Sequence, residues 1–113
     1  MTPTAPGVLL LRAPGNSDPQ ACKQFELLIN SAIATGPRLV VVDLSKANSV
    51  STVMLGLFLK LRRELSAVDG EVRLAGVQPL VRRVLDICRL DKLFAVFSSP
   101  DEAMDAGNAA AAM

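Results

Sequence analysis

Short apolar runs alternate along the chain with longer stretches in which apolar residues return every three or four positions. Val8-Leu9-Leu10-Leu11 is the first run, closed by Pro14-Gly15-Asn16, and reads as a strand leading into a turn. Asp18-Pro19 then opens a helix, with Asp18 as N-cap and Pro19 at the first helical position, where its missing N–H costs nothing. Cys22, Phe25, Leu28, Ile29, Ala32 and Ile33 share one face of that helix, and Gly36-Pro37 stops it. Leu39-Val40-Val41-Val42 is continuous and rich in β-branched residues, the mark of a strand buried on both faces in a parallel sheet.

Small polar residues follow from Asp43 to Thr52, and a second helix is expected over Val53–Val68. Met54, Phe58, Leu61, Leu65 and Val68 line its inner face, with Lys60, Arg62, Arg63 and Glu64 opposite. Its first two turns are apolar nearly all round, through Met54, Leu55, Leu57, Phe58 and Leu59. Asp69-Gly70 ends this helix, and Glu71 to Ala75 reads as the next strand. Gln78-Pro79 starts a third helix with Leu80, Val81, Val84, Leu85 and Cys88 on one face and Arg82, Arg83, Asp86 and Arg89 on the other. Phe94 to Phe97 is a short last strand, and Ser99-Pro100-Asp101-Glu102 is a capping box for a further helix. Strand–helix units in succession require right-handed crossovers and a largely parallel, helix-covered sheet. The fold class is α/β.

At 113 residues the chain is one domain in size and buries enough surface for a core without metal or disulfide staples. Half the residues are hydrophobic, with neither Trp nor Tyr, so that core is aliphatic. Twelve basic against eleven acidic residues leave a net charge of +1, which gives no field to draw in a phosphate backbone, so nucleic acid is not expected as a partner. The absence of His excludes Ser-His-Asp and Cys-His catalysis and His-ligated metal within this chain. Cys22 and Cys88 form no metal-ligand spacing and read as small hydrophobes on helix faces. No glycine-rich phosphate loop and no paired carboxylates stand out, so neither an enzyme nor a cofactor is expected. The arginines of the third helix read first as a solvated stripe and second as a partner patch. The start MTPTAPG has no signal-peptide character, and no apolar run approaches the roughly 20 residues that span a bilayer, so the expected location is the cytoplasm.

The segment from Asp43 to Gly56 carries the most information. It leaves the central strand and places Ser49, Ser51 and Thr52 at a helix N-terminus, where a hydroxyl caps the first turn or, once phosphorylated, meets free N–H groups and the positive end of the helix dipole. Val41-Val42-Asp43-Leu44-Ser45, a polar link, and Ser51-Thr52-Val53-Met54-Leu55-Gly56 resemble the STAS domain of bacterial anti-sigma factor antagonists. Gly70 to Leu74, Gln78 to Leu85, Leu90 to Phe94 and Pro100 to Ala103 continue the match in order, covering roughly residues 7–106. The resemblance implies a single STAS domain over 1–113, with 107–113 as a frayed tail. It also implies a mixed, largely parallel sheet of four to five strands with about four helices mainly on one face. The family's leading edge strand has no evident counterpart, because Val8 to Arg12 fits its second strand.

Aligned on that motif, the family's Asp falls on Ser51, its phosphoacceptor Ser on Thr52, its next Ser on Val53 and its first Gly on Met54, while Leu55 and Gly56 match. The resemblance implies a non-enzymatic module that binds an anti-sigma factor, a GHKL-type serine kinase, and regulates sigma-factor-dependent transcription. Thr52 is then the phosphorylation candidate and Ser51 the fallback. The partner surface would comprise Ser45, Asn48, Ser49, Ser51 and Thr52 with the apolar Met54, Leu55 and Leu57. The alternative is an unphosphorylated STAS adaptor, such as the subunit that grips the ATPase of an ABC-type lipid-trafficking transporter, or a signalling scaffold. Oligomeric state is left open.

Overall fold

In the computed structural model, residues 2–104 are described, the first four of them by backbone alone. The sheet has five strands in sequence order: β1 (Thr2–Ala5), β2 (Val8–Arg12), β3 (Leu39–Asp43), β4 (Glu71–Ala75) and β5 (Ala95–Phe97). β1 runs antiparallel to β2, and all later neighbours are parallel. β1 is the edge strand that the sequence pattern does not announce. Pro3 breaks the usual strand composition, but on an edge its missing N–H is tolerated, and the register shifts between Pro3 and Ala5. The expected tail at 107–113 lies outside the described residues.

Three helices follow the strands: α1 (Pro19–Thr35), α2 (Thr52–Ser66) and α3 (Pro79–Ile87), and a 3-10 turn (Leu90–Lys92) leads into β5. Asp18 caps α1 by accepting from Ala21 N–H at 2.7 Å, as its position before Pro19 predicts. Alternate residues of β3 serve two cores. Val40 and Val42 pack with Phe25 and Ile29 of α1, Met54, Phe58, Leu61 and Leu65 of α2, and Val81 and Leu85 of α3. Leu39 and Val41 face the other side with Val8, Leu10, Ala75 and Ala103. That second face is covered by the helix entered at residue 100, whose Ser99 accepts from Glu102 N–H at 3.1 Å. Phe25 and Phe58 meet edge to face, centroids 6.1 Å apart, and fix α1 against α2.

The structure corrects three of the face assignments. Val68 lies beyond the end of α2 and is exposed, because the chain has already turned toward β4. Leu80 and Cys88 are exposed, since α3 reaches the core only through Val81 and Leu85, with Val84 at the margin. The cysteine reading holds for Cys22, which is buried, and fails for Cys88.

Candidate functional site

Three loops converge at the carboxyl ends of the parallel strands, where open α/β sheets place their sites. They are the β2–α1 loop, the long β3–α2 link, and the β4–α3 turn. Each is tied to the next by hydrogen bonds that sequence spacing does not reveal. Asn48 N–H donates to Gly15 O at 2.9 Å and Ser17 Oγ to Ser49 O at 3.2 Å, joining the first two loops. Gln78 Nε2 donates to Ser45 O at 2.7 Å, joining the second and third. Asp43 Oδ1 accepts from Ser45 N–H at 2.9 Å and turns the chain out of β3. Gly76, at φ +65°, sits against this turn; a Cβ there would stand 3.1 Å from Ser45 Cβ and 3.3 Å from Asp43 Oδ1.

The link is anchored from beneath by Leu44 and Ala47, both buried, and rises to the α2 N-terminus. Ser51 is the N-cap: its Oγ accepts from Met54 N–H at 3.2 Å, and Cys22 Sγ of α1 lies 3.9 Å from the same oxygen. Thr52 is the first helical residue and is exposed. The first intrahelical bond is Leu55 N–H to Ser51 O, so the N–H groups of Thr52 and Val53 have no partner within the helix.

The sequence-level site therefore splits. Ser45, Asn48, Ser49 and Thr52 are exposed on one connected surface, with Ser51 half-buried at its edge. Met54, Leu55 and Leu57, expected as apolar anchors for a partner, are buried in the core instead. The reason is geometric: α2 is wedged between α1 and the sheet, so its opening turn has only a narrow free sector. Val53, 60% exposed, occupies that sector and is the residue the pattern missed. Beside it a cleft of about 430 Å³ opens between α1 and α2, lined by Ser17, Pro19, Cys22, Ser51, Val53 and Leu57. Among the described residues no group of three or more Cys, Asp or Glu side chains is placed to hold a metal ion, and no helix is long and apolar enough to cross a membrane.

The STAS domain model matches residues 1–103. The chain belongs to the STAS family. BtrV of Bordetella bronchiseptica, named as an anti-sigma factor antagonist, is 29% identical over 97 residues, which cover 86% of this chain and 84% of BtrV. An anti-sigma factor antagonist from Mycobacterium paratuberculosis superposes with a TM-score of 0.82 at 24% identity, covering 94% of this chain and 90% of that one. The anti-sigma factor antagonist SpoIIAA in its unphosphorylated form gives a TM-score of 0.83 at 24% identity, covering 96% and 94%. The phosphorylated form of this Bacillus protein gives 0.75 at 24% identity, covering 93% and 95%. These structural likenesses establish the fold: this STAS domain is built like those antagonists, on a largely parallel sheet flanked by helices. The structure presents Ser51 and Thr52 at the α2 N-cap and first helical position.

Proposed function

We propose that this STAS domain is a non-enzymatic cytoplasmic antagonist that binds an anti-sigma factor of the GHKL serine-kinase type, and that phosphorylation of Thr52 ends the binding. The observation that carries this reading is the exposed Thr52 at the first position of α2, directly after the Ser45–Ser51 link. BtrV, named as an anti-sigma factor antagonist, supports the partner class, and SpoIIAA, solved in both phosphorylated and unphosphorylated forms, supports a switched module.

The physics favours an on–off response. A phosphate brings about −1.5 to −2 charges and three acceptor oxygens. In the free protein the α2 N-terminus accommodates them, by roughly 0.3–1 kcal/mol in favour, through the helix dipole and the N–H groups of Thr52 and Val53. In a complex whose contact includes Val53, the same charges are desolvated against the partner, and an unpaired buried charge costs several kcal/mol. At about 1.4 kcal/mol per tenfold in affinity, that difference releases the partner without disturbing the fold. Ser51 is the poorer acceptor, because its Oγ already caps Met54 N–H. Incubation with the host's GHKL-type kinase and ATP, followed by phosphate mapping, is expected to place phosphate on Thr52. Thr52→Glu should melt like the parent and bind weakly, and Thr52→Ala should bind constitutively. Phosphate on neither hydroxyl, with Thr52→Glu still binding tightly, rejects the switch in favour of an unswitched adaptor, such as one serving an ABC-transporter ATPase.

A further inference from the structure

The outer side of α3 and the turn after it form an apolar strip with a basic rim, and the Thr52 site does not use them. Leu80 and Ile87 are 67% and 74% exposed. Seven residues apart, they lie on one helix face about 10 Å from each other, with partly buried Val84 between them. Leu93, 40% exposed, extends the strip past the C-terminus of α3, and Arg62 of α2 crosses to it by donating from Nε to Leu93 O at 3.0 Å. Arg83, Arg89 and Lys92, interleaved with these residues along the chain, are exposed. The nearby acids offset them only in part: Asp86 pairs with Arg82, and Asp91 is half-buried. Over residues 79–93 there are four cations and two carboxylates, in a chain whose total is only +1.

We infer that this strip is a second docking surface, and that its occupant is an acidic amphipathic helix of a partner protein. The apolar residues sit at the spacing that meets the i, i+3, i+4, i+7 anchors of a facing helix. The cationic rim selects carboxylates at the flanks of that helix and disfavours a second copy of the same basic strip. A bilayer surface is the poorer fit, because the strip offers no Trp or Tyr for the membrane interface. The surface is distinct from Thr52 and is expected to act whatever the phosphorylation state of that residue.

Cys88 gives direct access to the test, being exposed at the end of α3 while Cys22 is buried. A thiol-directed benzophenone placed on Cys88 of the full chain, photolysed in a native lysate, is expected to cross-link to a segment with net negative charge and helical apolar spacing. Leu80→Ser and Ile87→Ser, each at an exposed position, should retain the parent melting curve and lower the cross-link yield by about tenfold, the loss typical of a central interface anchor. Arg83→Glu should lower it as well, and so should added salt. Thr52→Glu should leave it unchanged, which separates this surface from the switch. A cross-link to another copy of the chain, to a neutral or basic segment, or to nothing at all overturns the proposal. So does adduct formation that follows anionic vesicles rather than protein.

Discussion

The hydroxyl of Ser51 is held by Met54 N–H and lies beside Cys22, while its neighbour Thr52 is an exposed residue. The two residues should therefore respond differently to substitution. Ser51→Ala removes the α2 cap and is expected to cost about 1 kcal/mol, seen as a lower thermal midpoint. Thr52→Val keeps the shape and the fold and should change stability by less than about 0.5 kcal/mol, as exposed substitutions generally do. If Thr52→Val destabilises as much as Ser51→Ala, the capping assignment is wrong. Gly70 offers a third test at this scale. A Cβ there would lie 2.9 Å from Pro37 O and 3.1 Å from Leu65 Cβ, and the first of these contacts is with backbone that cannot rotate away. Gly70→Ala should cost about 1–3 kcal/mol, as overpacking does, measured by urea denaturation.

At the scale of elements, α2 decides the character of the site. Its apolar opening turns pack against α1 and the sheet, and Phe58 meets Phe25 in the middle of that contact. Phe58→Ala should cost about 3–5 kcal/mol, because it removes a large buried ring and leaves a cavity. Leu59→Ala, one residue on but at an exposed position, should cost less than about 1 kcal/mol. Parallel denaturation curves for the two variants check the rotational setting of the helix; equal losses would contradict it. The same setting removes Met54, Leu55 and Leu57 from the surface and leaves Val53 as the apolar contact nearest Thr52. Val53→Asp is then expected to fold normally and weaken partner binding, measured by titration calorimetry against the proposed kinase partner.

For the molecule as a whole, Arg73 ties the sheet at β4 to the helix entered at residue 100. It is buried on the sheet face opposite the three helices, where Nη1 donates to Ala103 O at 2.9 Å. Nε and Nη2 reach the Glu71 carboxylate at 2.7 and 3.0 Å, and the guanidinium lies 5.8 Å from the Phe97 ring centre. Arg73→Met should leave the carbonyl of Ala103 without its donor and loosen the helix entered at residue 100. Hydrogen exchange should rise at residues 99–104 before it rises in α1 or α2. Uniform exchange across the chain in this variant would show that Arg73 serves the core as a whole instead.

Strand and helix positions were legible in the sequence because they rest on local physics. The Asp18-Pro19 start of α1, the twice-buried β3 and the exact span of β4 follow from caps, side-chain period and β-branching, which neighbours along the chain supply by themselves. The Ser51–Thr52 pair was legible for the same reason, as hydroxyls at a helix start. What the tertiary structure decided is everything that depends on which element lies opposite which. Leu80, Val68 and Cys88 look like core on a helical period and are exposed, while Met54, Leu55 and Leu57 look like anchors and are buried. Periodicity gives the angle between side chains around a helix, not the direction in which the sheet lies. The edge strand β1 was hidden because Pro3 argues against a strand, and only pairing with β2 supplies the hydrogen bonds that hold it. The loop bonds from Ser17 to Ser49 and from Gln78 to Ser45 join residues more than thirty positions apart, so they exist only once the sheet has brought the strand ends together.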